Sequence, residues 1–459
     1  MNNEYGRLSC VRTRRQWLQQ SALGFGSVAL AGLCAEQADG GALAPRAPHF
    51  PPRAQRVIFL FMQGGQSQMD LFDPKPELNR RHGEMQGKSR LTGATHPFAR
   101  YGQAGLEMSS LLPNRGRHAD DLCLVRSMYT DSRNHSNAML FFHTGSQNFV
   151  RPSIGSWVTY GLGTENDSLP GFITIRPTRG HGSRVHSSAF LPAIHQASAL
   201  GDSGVPMKKA TFRNLSNPHW TDDQQQRQLA LTQSLNERFR YNTASTPEME
   251  GLIQSYELAF RMQTESPKLF DLADEPQHAL DAYGVDRKAT DEVGRMCLLA
   301  RRFAEAGVRY IQVNHAGWDH HSSISSALER SCGAADGPIG ALLSDLKDRG
   351  MLEDTLVVSS GEFGRTATGE GDRYKAGRGH NSAGFSIWMA GGGVRGGLEY
   401  GVTDDLGVKA VENRVHVHDL HATLLHLLGL DHESLTYRYA GRDFRLTDVY
   451  GNVLTDILA

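Results

Sequence analysis

Nothing in the 459-residue chain supplies a cysteine scaffold. It has five cysteines (Cys10, Cys34, Cys123, Cys297 and Cys332) and no C-x-x-C pair, which argues against a cysteine-built zinc site. Three would remain once a leader is removed, enough for one incidental bond but not for a disulfide framework. Neither sign of charge is in surplus. With 48 Lys and Arg against 49 Asp and Glu, the chain has no basic surface field to hold nucleic acid and no acidic solvating tail. No apolar run reaches the roughly 20 residues a membrane helix needs. The run Ser21 to Leu33 holds 13, the length of a signal-peptide core. No internal repeat is evident. What the chain has in plenty is glycine (49) and histidine (20). Glycine suits a protein with many tight loops, and several of the histidines fall in short polar clusters.

The apolar run follows Arg14-Arg15-Gln16-Trp17-Leu18, a twin-arginine pattern. Residues 1–50 therefore read as a twin-arginine signal peptide and linker, with Glu36 to Pro52 rich in Gly, Ala and Pro. Export by this route carries folded, often cofactor-loaded proteins, so a periplasmic or extracellular location is expected, with no transmembrane span in the mature protein. Leu33 stands before Cys34 where lipidation would want a small residue.

Behind the leader, Val57 to Met62 is an unbroken apolar run ending at Gly64-Gly65, the pattern of a strand buried on both faces. Leu122 to Val125, Phe172 to Ile175, Val308 to Val313, Thr355 to Ser359 and Phe385 to Ala390 are further strand candidates. Helical patterns cover Glu292 to Ala306, Ile339 to Lys347 and His418 to Leu428. Alternation of helix and strand predicts an α/β fold over 51–459, with a mostly parallel central sheet covered by helices on both faces. The polar stretch Thr221 to Asp274 reads as a helical arm, part of a helical insertion near 218–305.

Ligand sites in such sheets lie beyond the carboxyl ends of strands. There the chain places its polar clusters: Gln66 to Asp70 with Asp73, Asp131 to Asn137, Asn314 to His321, Ser360 to Arg365, and Gly379-His380-Asn381. Imidazole with carboxylate is the ligand mix for zinc, manganese or iron; an all-oxygen set suits calcium or magnesium. Asp319 and His321 can reach one ion only if the backbone turns, and Gly317 permits that. Each cluster also has a plain reading. Glu362 could pair with Arg365 or cap a helix. Asp70 and Asp73 could be turn residues, and His315 and His320 could sit outside the ligand set. His416, His418, His421 and His426 fit one wet helix face with core neighbours. His186 and His195 are loop histidines that could meet a substrate.

Six stretches carry a resemblance: FMQGGQSQMDLFDPKP (61–76), NHSNAMLFFHTG (134–145), GWDHH (317–321), GEFGRT (361–366), GHNSAGFSIWMAGGGVRGG (379–397) and HDLHATLLHLLGL (418–430). The chain resembles the DUF1501 group, exported bacterial proteins of the planctomycete type that are sulfatase-like members of the alkaline phosphatase superfamily. The resemblance implies that fold and a hydrolase-like activity on phosphate or sulfate esters. It also implies a divalent cation, zinc or manganese with calcium as an alternative, in one or two sites. Asp319, His321 and His380 would form the first metal set. Asp70 and Glu362, with His135, would form a weaker second. Catalytic parts would fall to His135, Ser136, Arg365 and Asn381. Ser136 would be a metal-activated nucleophile; in the favoured alternative His135 is a ligand and water attacks. Arg365 would face developing anionic charge or pair with Glu362.

Two departures matter. No C-x-P-x-R motif occurs, so formylglycine chemistry is not expected. Phe363 stands where the superfamily has a ligand imidazole, so one tightly held ion is the safer expectation. The implied substrate is a small-molecule or carbohydrate ester, and the oligomeric state is open. The competing reading is a non-catalytic, metal-stabilised binding or scaffold protein of the same fold.

Overall fold

Strand β1 (Arg56–Met62) is buried from its second residue on, as its continuous apolar run requires. Its alternate side chains enter two separate cores. Ile58, Leu60 and Met62 face one, and Val57, Phe59 and Phe61 the other. The computed structural model describes residues 43–166, 168–177, 182–212, 221–242, 247–370 and 376–459. Residues 42–459 form one compact unit. The twin-arginine segment, with Cys10 and Cys34, lies outside the described residues.

The central sheet is built from β1, β2 (Leu122–Tyr129), β3 (Phe172–Ile175), β4 (Ser198–Leu200), β5 (Tyr310–His315), β6 (Thr355–Ser360), β9 (Phe385–Ala390), β10 (Leu398–Tyr400) and β11 (Val415–His416). Their order is β10-β2-β9-β6-β1-β5-β3-β4, with β11 beside β2. Only β9 runs against its neighbours β6 and β2; the other pairings are parallel. The mostly parallel sheet read from the sequence is therefore found, with one antiparallel strand.

Helices cover both faces. On the first face lie α5 (Asp291–Glu305) and α6 (Ile324–Asp348), which bury Leu298, Phe303, Ile339 and Leu342. On the second lie α1 (His135–Thr144), α2 (Ile154–Leu162) and α7 (Val417–Leu427), which bury Phe142, Trp157, Leu420 and Leu424. The arm consists of α3 (Asp222–Asn242) and α4 (Pro247–Phe270). The expected insertion to residue 305 reaches too far, because α5 is a core helix with eleven buried residues. Cys123, Cys297 and Cys332 are free and buried, so the incidental bond is absent among the described residues.

One feature went unread in the sequence. Past Glu362 the chain forms a second, antiparallel sheet from β7 (Gly364–Glu370) and β8 (Gly377–Asn381), joined by Ser89–Leu91 and Met85–Gln86. Its register sets Arg365 opposite His380, and this pairing brings a late histidine back over the rim of the main sheet. Among the described residues no helix is long and apolar enough to cross a membrane.

Candidate metal centre

The loops after β1, β2, β5 and β6 all leave the carboxyl edge of the parallel strands, and β8 returns to the same edge. They are packed too closely for side chains at some points. Gly64 has φ +115°, and a Cβ there would lie 2.4 Å from the Asp319 nitrogen. Gly65 has φ +81°, and its Cβ would lie 2.7 Å from the Phe363 carbonyl. Only glycine lets the β1 loop pass between the other two.

Four side chains converge there: His135, Asp319, His321 and His380, whose ligand atoms all lie within 4.8 Å of one another. His135 Nε2 is 3.2 Å from Asp319 Oδ2. His321 Nε2 is 2.9 Å from Asp319 Oδ1, and His380 Nε2 is 3.3 Å from the same oxygen. The two Nε2 atoms of His321 and His380 are 2.9 Å apart. Donors held tetrahedrally at ~2.0–2.1 Å from one ion stand roughly 3.3 Å from each other, so these separations match a single cation. Gly317 makes the required turn at φ +101°.

Three of these side chains are aimed by a partner outside the cluster. His135 begins α1, which Asn134 caps. Its Nδ1–H donates to Glu362 Oε1 at 2.5 Å, which leaves Nε2 as the lone-pair nitrogen. That atom is buried and stands 3.2 Å from Asp319 Oδ2. Carboxylate–imidazole–metal chains have this form. His380 donates from Nδ1 to the Arg133 carbonyl at 2.8 Å, again freeing Nε2. Arg365 donates to Asp319 Oδ1 at 2.6 Å. The donor set, three imidazoles and a carboxylate brought to one point, fits a divalent cation.

The electrostatics agree. Burial disfavours a charged His135, but hydrogen bonds and charge from Asp319 and Glu362 outweigh it and raise its pKa to about 9. Asp319 is also disfavoured by burial, yet His135 and Arg365 hold its carboxyl far below the ordinary range. Burial, then the neighbouring His135 charge, lowers His380, which is ready to ligate near neutrality. The site attracts positive charge.

Other expected site residues lie elsewhere. Glu362 is fully buried, and both of its oxygens accept the Gly64 N–H, at 3.1 and 3.0 Å; it orients His135. Asp70 is fully buried and faces the equally buried Arg378 at 2.7 Å. Ser67 and the Thr95 N–H complete its partners. Burial opposes its charge, and Arg378 more than restores it. The Asp70 carboxylate is thus matched by a guanidinium, apart from the four converging side chains. Phe363 fills the remaining space, with its ring 4.8 Å from that of His135 and 4.6 Å from that of His380.

Arg365 is fully buried and donates to the Gly64, Gly65, Trp318 and Arg378 carbonyls besides Asp319. It knits three loops together, and its carboxylate partner is Asp319, not Glu362. Asn381 spends its amide on the Gly384 and Val408 carbonyls and is likewise structural. Ser136 is exposed beside His135.

Asp73 pairs with Lys75 at 2.9 Å. His315 accepts from the Trp318 indole at 3.1 Å, and His320 bonds the Gly317 carbonyl at 2.8 Å, so both brace the ligand loop. His186 and His195 are buried; His418 and His421 are core neighbours, while His416 and His426 along the same helix are half-buried. Arg133 was passed over in its cluster. Its carbonyl holds His380, and its guanidinium is exposed with no partner among the described residues.

A family model described as Protein of unknown function (DUF1501) matches residues 54–458. No curated protein matches. Similar solved structures include the lipoteichoic acid synthase LtaP of Listeria monocytogenes, at 10% identity and TM-score 0.36, covering 89% of this chain and 78% of that one. The PsFucS1 sulfatase of Pseudoalteromonas sp. is similar at 12% identity and TM-score 0.36, covering 83% and 69%. The alkaline phosphatase of the Antarctic bacterium TAB5 is similar at 13% identity and TM-score 0.32, covering 83% and 99%.

Proposed function

Since the chain belongs to the DUF1501 family and gathers three imidazoles and a carboxylate at its sheet's rim, we propose that it is a single-cation hydrolase of phosphate or sulfate esters. The observation that carries this reading is the convergence of His135, Asp319, His321 and His380, whose ligand atoms all lie within 4.8 Å of one another. A divalent cation, zinc or manganese by the ligand chemistry, supplies Lewis acidity and an acidified water.

The chain's own residues do the rest. Glu362 and the Arg133 carbonyl fix the tautomers of His135 and His380. Arg365 fixes Asp319. Arg133, exposed and joined to His380 through its carbonyl, is the residue we assign to an anionic ester, since a guanidinium's planar fork matches phosphate and sulfate oxygens. Water is the favoured nucleophile. Ser136 has no hydrogen-bonded base among the described residues, and a hydroxyl needs activation to attack near neutral pH. The twin-arginine pattern Arg14-Arg15 supports a reaction outside the cytoplasm, on a small-molecule or carbohydrate ester.

The second reading, a metal-stabilised binding or scaffold protein, draws on the inward-facing Arg365, which leaves Arg133 as the site's exposed guanidinium. Metal-loaded protein tested on aryl phosphates and aryl sulfates separates the two. Hydrolysis of one class, lost in Asp319→Ala, is expected. Absence of turnover on both, with Asp319→Ala changing only stability, would leave the scaffold reading.

A further inference from the structure

Eleven large apolar side chains are widely exposed among the described residues, and five of them, Phe149, Val150, Tyr439, Val449 and Tyr450, lie in two neighbouring surface segments. Arg151 next to Val150 pairs at 3.0 Å with Asp448 next to Val449, which ties the segments together. Clustered exposed apolar surface on a folded protein marks a contact site.

Two of these rings are held face-on by a ring beneath. Tyr439 is 50% exposed and lies on Phe190 at 5.0 Å and 14°. Tyr450 is 61% exposed and lies on the buried His418 at 5.3 Å and 19°. The hairpin Tyr437–Phe444 carries the first plate, and Phe444 also touches Phe190 at 4.9 Å. A ring stacked on one face and open on the other is a fixed platform, so little side-chain freedom is lost on binding.

The surrounding charges are already matched. Arg438 pairs with Asp443 at 2.9 Å, Arg445 with Glu433 at 3.0 Å, and Arg151 and Arg442 with Asp448. Four guanidiniums against three carboxylates leave a surplus of a single positive charge, too small a field to select an anionic polymer or bilayer. A second copy of the chain would have to desolvate these pairs, which is costly. A pyranose would not: its C–H face lies flat on a ring, while its hydroxyls meet the guanidinium and carboxylate edges that remain in water.

We propose that Tyr439 and Tyr450 form a carbohydrate-binding platform for neutral sugar chains, separate from the metal centre and independent of its cation. The test is affinity electrophoresis of the full chain through gels holding hydroxyethyl cellulose or galactomannan, with chondroitin sulfate as the anionic arm. Retardation in a neutral gel is expected, about tenfold weaker or absent in Tyr439→Ala/Tyr450→Ala. Tyr439→Phe/Tyr450→Phe keeps both plates and should be retarded like the wild type, which guards against misfolding. Asp319→Ala should bind sugar unchanged. Equal migration of wild type and alanine variant in the neutral gels would overturn the proposal. So would retardation confined to the chondroitin sulfate gel, or sedimentation showing that the alanine variant dissociates a dimer.

Discussion

Replacing Glu362 by glutamine removes one charge and keeps the shape. The amide oxygen can still accept from the Gly64 N–H and from His135 Nδ1, so the loops should stay in place. What is lost is the negative charge that makes His135 Nε2 a better donor, and losing such an orienting carboxylate costs about 10–100-fold in metal affinity. With zinc at about 1,000 times the dissociation constant, binding adds roughly 4.1 kcal/mol; after a hundredfold loss the same zinc adds roughly 1.4 kcal/mol. At about 2.1 cal/mol/K per residue, over roughly 400 ordered residues, each kcal/mol moves Tm by about 1 °C. The zinc-induced rise should therefore shrink from about 4–5 °C to 1–2 °C. Calorimetry gives the shift, and competition with a chromogenic chelator gives the affinity. The pH has to be chosen with care. His135 holds a proton up to about pH 9, and Glu362 favours proton and cation alike, so the comparison belongs at about pH 9.5, where the ring is neutral. Equal zinc affinity within about twofold would refute the orienting role of Glu362.

Three further outcomes follow from the same geometry. In chelated protein the His135 pKa stands near 9 against an ordinary 6.5. Its share of stability should be full below pH 6.5 and fall away as pH rises through 9; cation binding at about pH 7.5 should release roughly one proton, read as buffer-dependent heat in titration calorimetry. Asp70→Asn would strand the buried Arg378 charge, and denaturant unfolding should show a loss of about 3–5 kcal/mol with metal stoichiometry unchanged; a drop in bound metal would instead make Asp70 a ligand. Arg133→Ala should raise KM or lower kcat/KM for the anionic ester by about 10-fold or more while leaving zinc affinity intact, because the His380 contact uses the Arg133 backbone.

Much of the architecture was legible because it rests on apolar periodicity. Val57 to Met62, Thr355 to Ser359 and Phe385 to Ala390 lie within strands observed at Arg56–Met62, Thr355–Ser360 and Phe385–Ala390. The GWDHH loop was legible too, because Gly317 had to turn for Asp319 and His321 to meet. The ligand His135 was readable only as one alternative, since nothing local tells a helix-opening histidine from a ligand. Its role comes from Glu362, 227 residues away. The parts of Asp70 and Arg365 stayed open in the sequence for a related reason. A carboxylate or guanidinium at a strand end looks alike whether it meets a metal, a substrate or a buried partner. Arg378 and the Gly64–Asp319 contact are tertiary facts, and so they decided what sequence spacing left open. The second sheet was missed because β7 and β8 are rich in Gly and Arg and carry little of the alternation that marks a strand.

The central claim is that His135, Asp319, His321 and His380 hold one cation together. Metal analysis of the purified protein, paired with X-ray absorption at the zinc edge, tests it most directly. The geometry predicts about one ion per chain with three nitrogen and one carboxylate ligands at ~2.0–2.2 Å, and loss of that signal in Asp319→Ala. Two tightly bound ions per chain, or zinc that stays bound when Asp319 and His380 are both replaced by alanine, would contradict it.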